Sequence, residues 1–247
     1  MALDVQTCVD EIIEQSEQLA TEVAGHLEAP IEHCPGWTVA ELLEHLIKVQ
    51  WFWATVVEQR LETPPEGAGP GPIERGDLVA RFRDGAYHLA AVLGAAEQDQ
   101  PVWTWAPLQH DVAFVTRHQV QEIVVHHWDA AHALGRTMIV GADVACDAIE
   151  EFLTFSVSSD VDPADPPRPA LDGALGLRCT DVDKGWTVRD AATPGTVTFE
   201  RGVAAGVASL SATSSDLLLW LYSRVEIPST PEASELGERL RALCFTT

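Results

Sequence analysis

Apolar residues recur at helical spacing along four stretches in the first half of the chain. Between residues 4 and 28, Val5, Cys8, Val9, Ile12, Ile13, Leu19, Val23 and Leu27 follow the 3.6-residue period and predict a first helix. The turn Cys34-Pro35-Gly36-Trp37 comes next. Thr38, with Glu41 three positions on, then makes a capping box that opens a second helix running roughly to Arg60. Residues 62–72 (ETPPEGAGPGP) are loop by composition. A third helix is predicted over 75–96 and a fourth over 112–134, closed by Gly135. Four helices joined by connections of mixed length predict a bundle.

The pattern then changes. Residues 142–157 still read as helix, whereas 158–172 (SSDVDPADPPRPALD) read as a linker rich in proline and aspartate. Beyond it, strand-like alternation appears over 175–180, 186–190, 196–200 and 207–212, separated by Gly or Asp turns. Ser214 or Ser215 caps a helix through Leu217–Tyr222, and 234–243 forms a last one. The predicted class is α+β: a helical domain over 1–157, carrying a connecting helix, and a small α+β domain over 158–247.

Composition narrows the function. Against 38 Asp and Glu the chain has 15 Lys and Arg, a formal charge of −23. Such a surface repels phosphate backbones and anionic lipid, which excludes nonspecific binding to nucleic acid or a membrane surface. No run of 18 apolar residues is present, and Met1-Ala2-Leu3-Asp4 does not open a signal peptide. The five cysteines (Cys8, Cys34, Cys146, Cys179, Cys244) are scattered and never in CxxC spacing, which points to a reducing cytoplasm. All nine histidines fall between His26 and His132, so any imidazole-ligated metal belongs to the helical half.

The densest chemistry lies in the fourth helix. His118, Glu122 and His126 are spaced i, i+4 and i+8 and share one face. His118 and His126 stand about 12 Å apart along the axis, too far to share one ion with bonds of about 2.1 Å. Glu122 and His126, one turn apart, can share it. A third ligand must then come from a facing helix, and His45, beside the apolar stripe of Leu42, Leu46 and Val49, is the natural donor. Such a trio leaves a position open for a water or a thiol. A Glu–His pair at this spacing is also a common surface ion pair, and a lone His on an apolar helix a common packed side chain. His88, His118, His127 and His132 are alternates that read equally as solvated or hydrogen-bonded side chains.

The residues Pro35-Gly36-Trp37-Thr38 with His45, then Glu122-x-x-x-His126-x-Trp128-Asp129, and finally Asp216-Leu217-Leu218-Leu219-Trp220-Leu221-Tyr222-Ser223-Arg224, together resemble the mycothiol-dependent maleylpyruvate isomerase family. The resemblance implies a DinB-like four-helix bundle followed by a domain related to sterol carrier proteins. It implies His45, Glu122 and His126 as ligands of a divalent metal, usually zinc, with mycothiol as cosubstrate. Arg224 matches a family arginine facing the cleft between domains, suited to gripping a substrate carboxylate. His127 stands where the family commonly has Arg; five residues from Glu122, it is turned about 100° further than His126, which favours His126. Trp37, Thr38 and Trp128 read as structural, and Asp129 as either an acceptor that orients a ligating imidazole or an exposed helix residue. The implied activity is isomerase or thiol S-transferase on a small molecule. The rivals are a non-catalytic ligand- or partner-binding module, and a family member that keeps its metal for stability alone.

Overall fold

The computed structural model describes residues 3–67, 69–157, 169–193 and 195–244. Helix α1 (Val5–Glu22) starts where the Asp4 carboxylate accepts the Thr7 N–H at 2.9 Å, satisfying one donor of the unpaired first turn. It ends five residues before Leu27, the last residue of the apolar period. Gly25 takes φ +82°, and the chain leaves the helix although Leu27 keeps the spacing. The loop that follows lies against the start of the next helix, with Val39 N–H donating to Ala29 O and Ala40 N–H to Leu27 O.

Cys34-Pro35-Gly36-Trp37 is a type II turn. Proline holds the second position, Gly36 the third with φ +87°, and the Trp37 N–H closes onto Cys34 O at 2.9 Å. Helix α2 (Val39–Glu58) opens through the predicted box, the Glu41 carboxylate accepting the Thr38 N–H at 2.8 Å. A 3-10 turn (Arg75–Asp77) leads into α3 (Leu78–Ala95), and Asp111 caps α4 (Val112–Ala133) by accepting the Phe114 N–H at 3.0 Å. Leu19, Leu42, Leu46, Phe82, Leu89 and Phe114 are fully buried between these helices. Helix α1 packs on α3 and α4, and α2 packs on α3; α2 and α4 touch only lightly.

The chain divides into two compact units, Met1–Ile139 and Val140–Thr247. This boundary differs from the expected 157/158, because α5 (Ala142–Phe155) packs in the second unit against α6 (Ser214–Leu221). Ile149 and Phe152 bury their side chains there, and the Phe152 ring meets Tyr222 at 4.9 Å. The Glu150 carboxylate accepts from Trp186 Nε1 at 3.1 Å and from Arg201 Nε at 2.7 Å, tying α5 to the sheet.

That sheet has the order β3-β2-β1-β4, with β1 (Ala174–Cys179), β2 (Gly185–Asp190) and β3 (Val197–Arg201) antiparallel in sequence, and β4 (Ser209–Ala212) parallel to β1. One face carries the buried Leu175, Leu177, Trp186, Val188 and Leu210. Helix α7 (Pro231–Leu243) starts three residues before the expected 234, because Thr230 accepts the Ala233 N–H and Pro231 fits the first turn. The expected linker at 158–172 lies largely outside the described residues. Its end is fixed: Asp190 accepts the N–H groups of Leu171 and Asp172, each at 2.8 Å. The chain is α+β, as its patterning predicts.

Candidate metal centre

Three side chains named from spacing converge in the first unit. His45 projects from α2, and Glu122 and His126 project one turn apart from α4, across the lightly packed side of the bundle. The His45 Nε2–H donates to Glu122 Oε1 at 2.8 Å, and His126 Nε2 stands 3.6 Å from the same oxygen. One donor atom from each residue lies within 4.8 Å of the other two. The imidazoles of His45 and His126 meet edge to face at 5.1 Å, and the Trp37 ring also lies 5.1 Å from His45.

Asp129 resolves its two readings. Its side chain has no exposed surface, and its Oδ2 accepts from His126 Nδ1 at 3.1 Å. That bond fixes the ring and the tautomer, leaving Nε2 turned toward Glu122. The same oxygen accepts the Cys34 thiol at 3.8 Å, a contact that sequence reasoning missed. The only signal was the position of Cys34 at the head of the turn that carries Trp37.

Burial alone would raise the Glu122 carboxyl, but the charge of His126 and the hydrogen bond and charge of His45 hold it at about 2. Burial would likewise lower His126, and the charge of Glu122 with bonds to Asp129 and Cys34 lifts it to about 10. Without a metal, the site is therefore a charged pair of a buried His126 and a half-buried Glu122.

Residues 9–131 match the family described as "Mycothiol maleylpyruvate isomerase N-terminal domain". The chain belongs to that family. Two solved structures are similar in fold across both units of the isomerase-family chain. One is a mycothiol-dependent maleylpyruvate isomerase, with a TM-score of 0.62 and 11% identity over 93% of this chain and 97% of that one. The other is a histidine-to-alanine mutant of the isomerase, with a TM-score of 0.62 and 10% identity over 92% and 93%. No curated protein matches the sequence at a significant level.

The donor set of this family member suits a divalent cation. Two imidazole nitrogens and a carboxylate oxygen are borderline ligands, and neighbouring donors around a tetrahedral ion with bonds of about 2.1 Å stand about 3.4 Å apart. The observed 2.8 and 3.6 Å straddle that spacing. The alternate histidines lie elsewhere. His127 is buried toward α1, donating from Nδ1 to Gln15 Oε1 at 2.6 Å, and burial lowers its pKa. His118 packs among Phe114 and Trp105, with ring centroids at 5.4 and 5.2 Å. His88 pairs with Glu58, and His132 with Glu32. Thr38 caps α2 as expected, and Trp128 is buried, its indole stacked on His132. In the second unit, half-buried Arg224 donates from Nη1 to Tyr222 O at 2.8 Å.

Proposed function

We propose that the protein is a metal-dependent enzyme that uses a low-molecular-weight thiol, mycothiol, to isomerise a small unsaturated acid or to transfer the thiol to an electrophile. The observation that carries this reading is the convergence of His45, Glu122 and His126, with His126 anchored by the fully buried Asp129. A divalent cation at these donors, with zinc as the proposed metal, would favour the thiolate of a thiol reaching its open position. The chain's own part is to present Nε2 of both imidazoles, to supply one carboxylate charge, and to keep His126 from rotating. Trp37 beside His45 narrows the approach on that side. Arg224 is assigned the grip on a substrate carboxylate that its family position implies. The proposed setting is the reducing cytoplasm, where Cys8, Cys34, Cys146, Cys179 and Cys244 remain free thiols.

Metal analysis followed by calorimetric titration of mycothiol, glutathione and bacillithiol into the zinc-loaded protein tests the reading. One tightly held cation and heat with mycothiol alone are expected. His126→Ala should lose both the cation and the heat. Stoichiometric metal with no thiol response would reduce the centre to a structural one, and no metal in the wild type would end the proposal.

A further inference from the structure

We propose that Glu32, His33 and His132 form a second divalent-cation site, on the surface of the first unit, suited to a borderline transition ion such as Zn2+, Ni2+ or Cu2+. One donor atom from each of the three residues lies within 4.8 Å of the others, a bound that the interior centre also meets, and the two sets share no residue. Glu32 Oε2 is already 3.0 Å from His132 Nε2, and the His33 and His132 ring centroids lie 5.5 Å apart at a 41° tilt. Two neutral imidazoles and a carboxylate match the ligand preference of these ions and not that of Mg2+ or Ca2+, which take oxygen.

The donors are held by structure on both sides. His132 stacks on Trp128 at 4.7 Å with a 9° interplanar angle, and His33 packs against the same indole at 5.6 Å. Glu32 and His33 sit between the buried Ile31, whose N–H donates to Trp37 O at 2.9 Å, and the type II turn that begins at Cys34. His132 lies in the last turn of α4, where the carbonyl end of the helix favours positive charge. A chain of net charge −23 adds a general attraction for cations. An ion here would clasp the loop between α1 and α2 to the end of α4, joining segments 100 residues apart.

Glu32 and His132 are exposed, so their replacement should leave the fold intact. Exposure of two of its three donors also makes this the weaker of two sites, since water screens the attraction between ion and ligands there. The test is equilibrium dialysis of the metal-stripped full chain against zinc, with the bound metal quantified. The wild type should take up two equivalents. His33→Ala and His132→Ala should each lose the weaker one, and Glu32→Gln should raise its Kd at least about tenfold, the loss that even an outer-shell partner causes. The His45→Ala/His126→Ala double variant should retain the weaker equivalent, so failure of the interior centre and failure of this one are read separately. Uptake unchanged in both His33→Ala and His132→Ala overturns the proposal, whatever the total.

Discussion

At the residue scale, one buried oxygen does more than its neighbours suggest. Asp129 Oδ2 takes hydrogen bonds from both His126 and Cys34. Asp129→Ala should therefore lower zinc affinity by about 10–100-fold, while Cys34→Ser should change it far less, because it leaves the imidazole bond in place. Zinc competition against a chromophoric chelator reads both. The charged pair sets a pH profile in the metal-free protein. His126 is raised from 6.5 to about 10, so its contribution to stability is complete below 6.5 and is lost as pH rises through 10. Glu122 is lowered from 4.5 to about 2, so its contribution is complete above 4.5 and is lost as pH falls through 2. Melting of stripped protein across pH should give a plateau between 4.5 and 6.5, falling on either side. His126→Ala should remove the alkaline slope. Of these residues, Glu122 and His126 were legible because helical spacing puts them one turn apart. Asp129, three residues from His126, was legible as one of two readings; Cys34 was not, since a bond spanning 95 residues leaves no periodic trace.

At the element scale, the start of α2 was legible and the end of α1 was not. Thr38 with Glu41 announces α2 because an N-cap is satisfied within three residues, wholly in local sequence. The end of α1 is decided by Gly25 and by bonds from Val39 and Ala40 back to the loop, which no local pattern encodes. The turn at Cys34–Trp37 positions both Trp37 and Cys34 beside the centre, and it depends on Gly36 at φ +87°. Space is not the constraint, because nothing lies within 4 Å of a side chain added there. Gly36→Ala should cost about 1–2 kcal/mol from backbone strain alone. Denaturant unfolding would measure the cost.

At the scale of the whole chain, α5 is the instructive misplacement. Its amphipathic pattern shows which face must be buried but not which neighbour buries it, so the pattern alone groups it with the helical domain as a connecting helix. Glu150, Ile149 and Phe152 attach it to the second unit instead. Phe152→Ala should destabilise that unit by about 3–5 kcal/mol. Hydrogen exchange on the full chain should then show α5, β1 and β2 opening together while α1–α4 remain protected. No helix among the described residues is long and apolar enough to cross a membrane.

The light contact between α2 and α4 has a consequence for how such a chain can change over generations. The apolar packing that makes the bundle runs through α1 with α3 and α4, and through α2 with α3, whereas the donors bridge the remaining seam. Scaffold and chemistry thus occupy different helix pairs. A lineage could exchange or discard the three donors without unmaking the bundle, and it could reshape what reaches them by altering a seam that carries little of the folding energy.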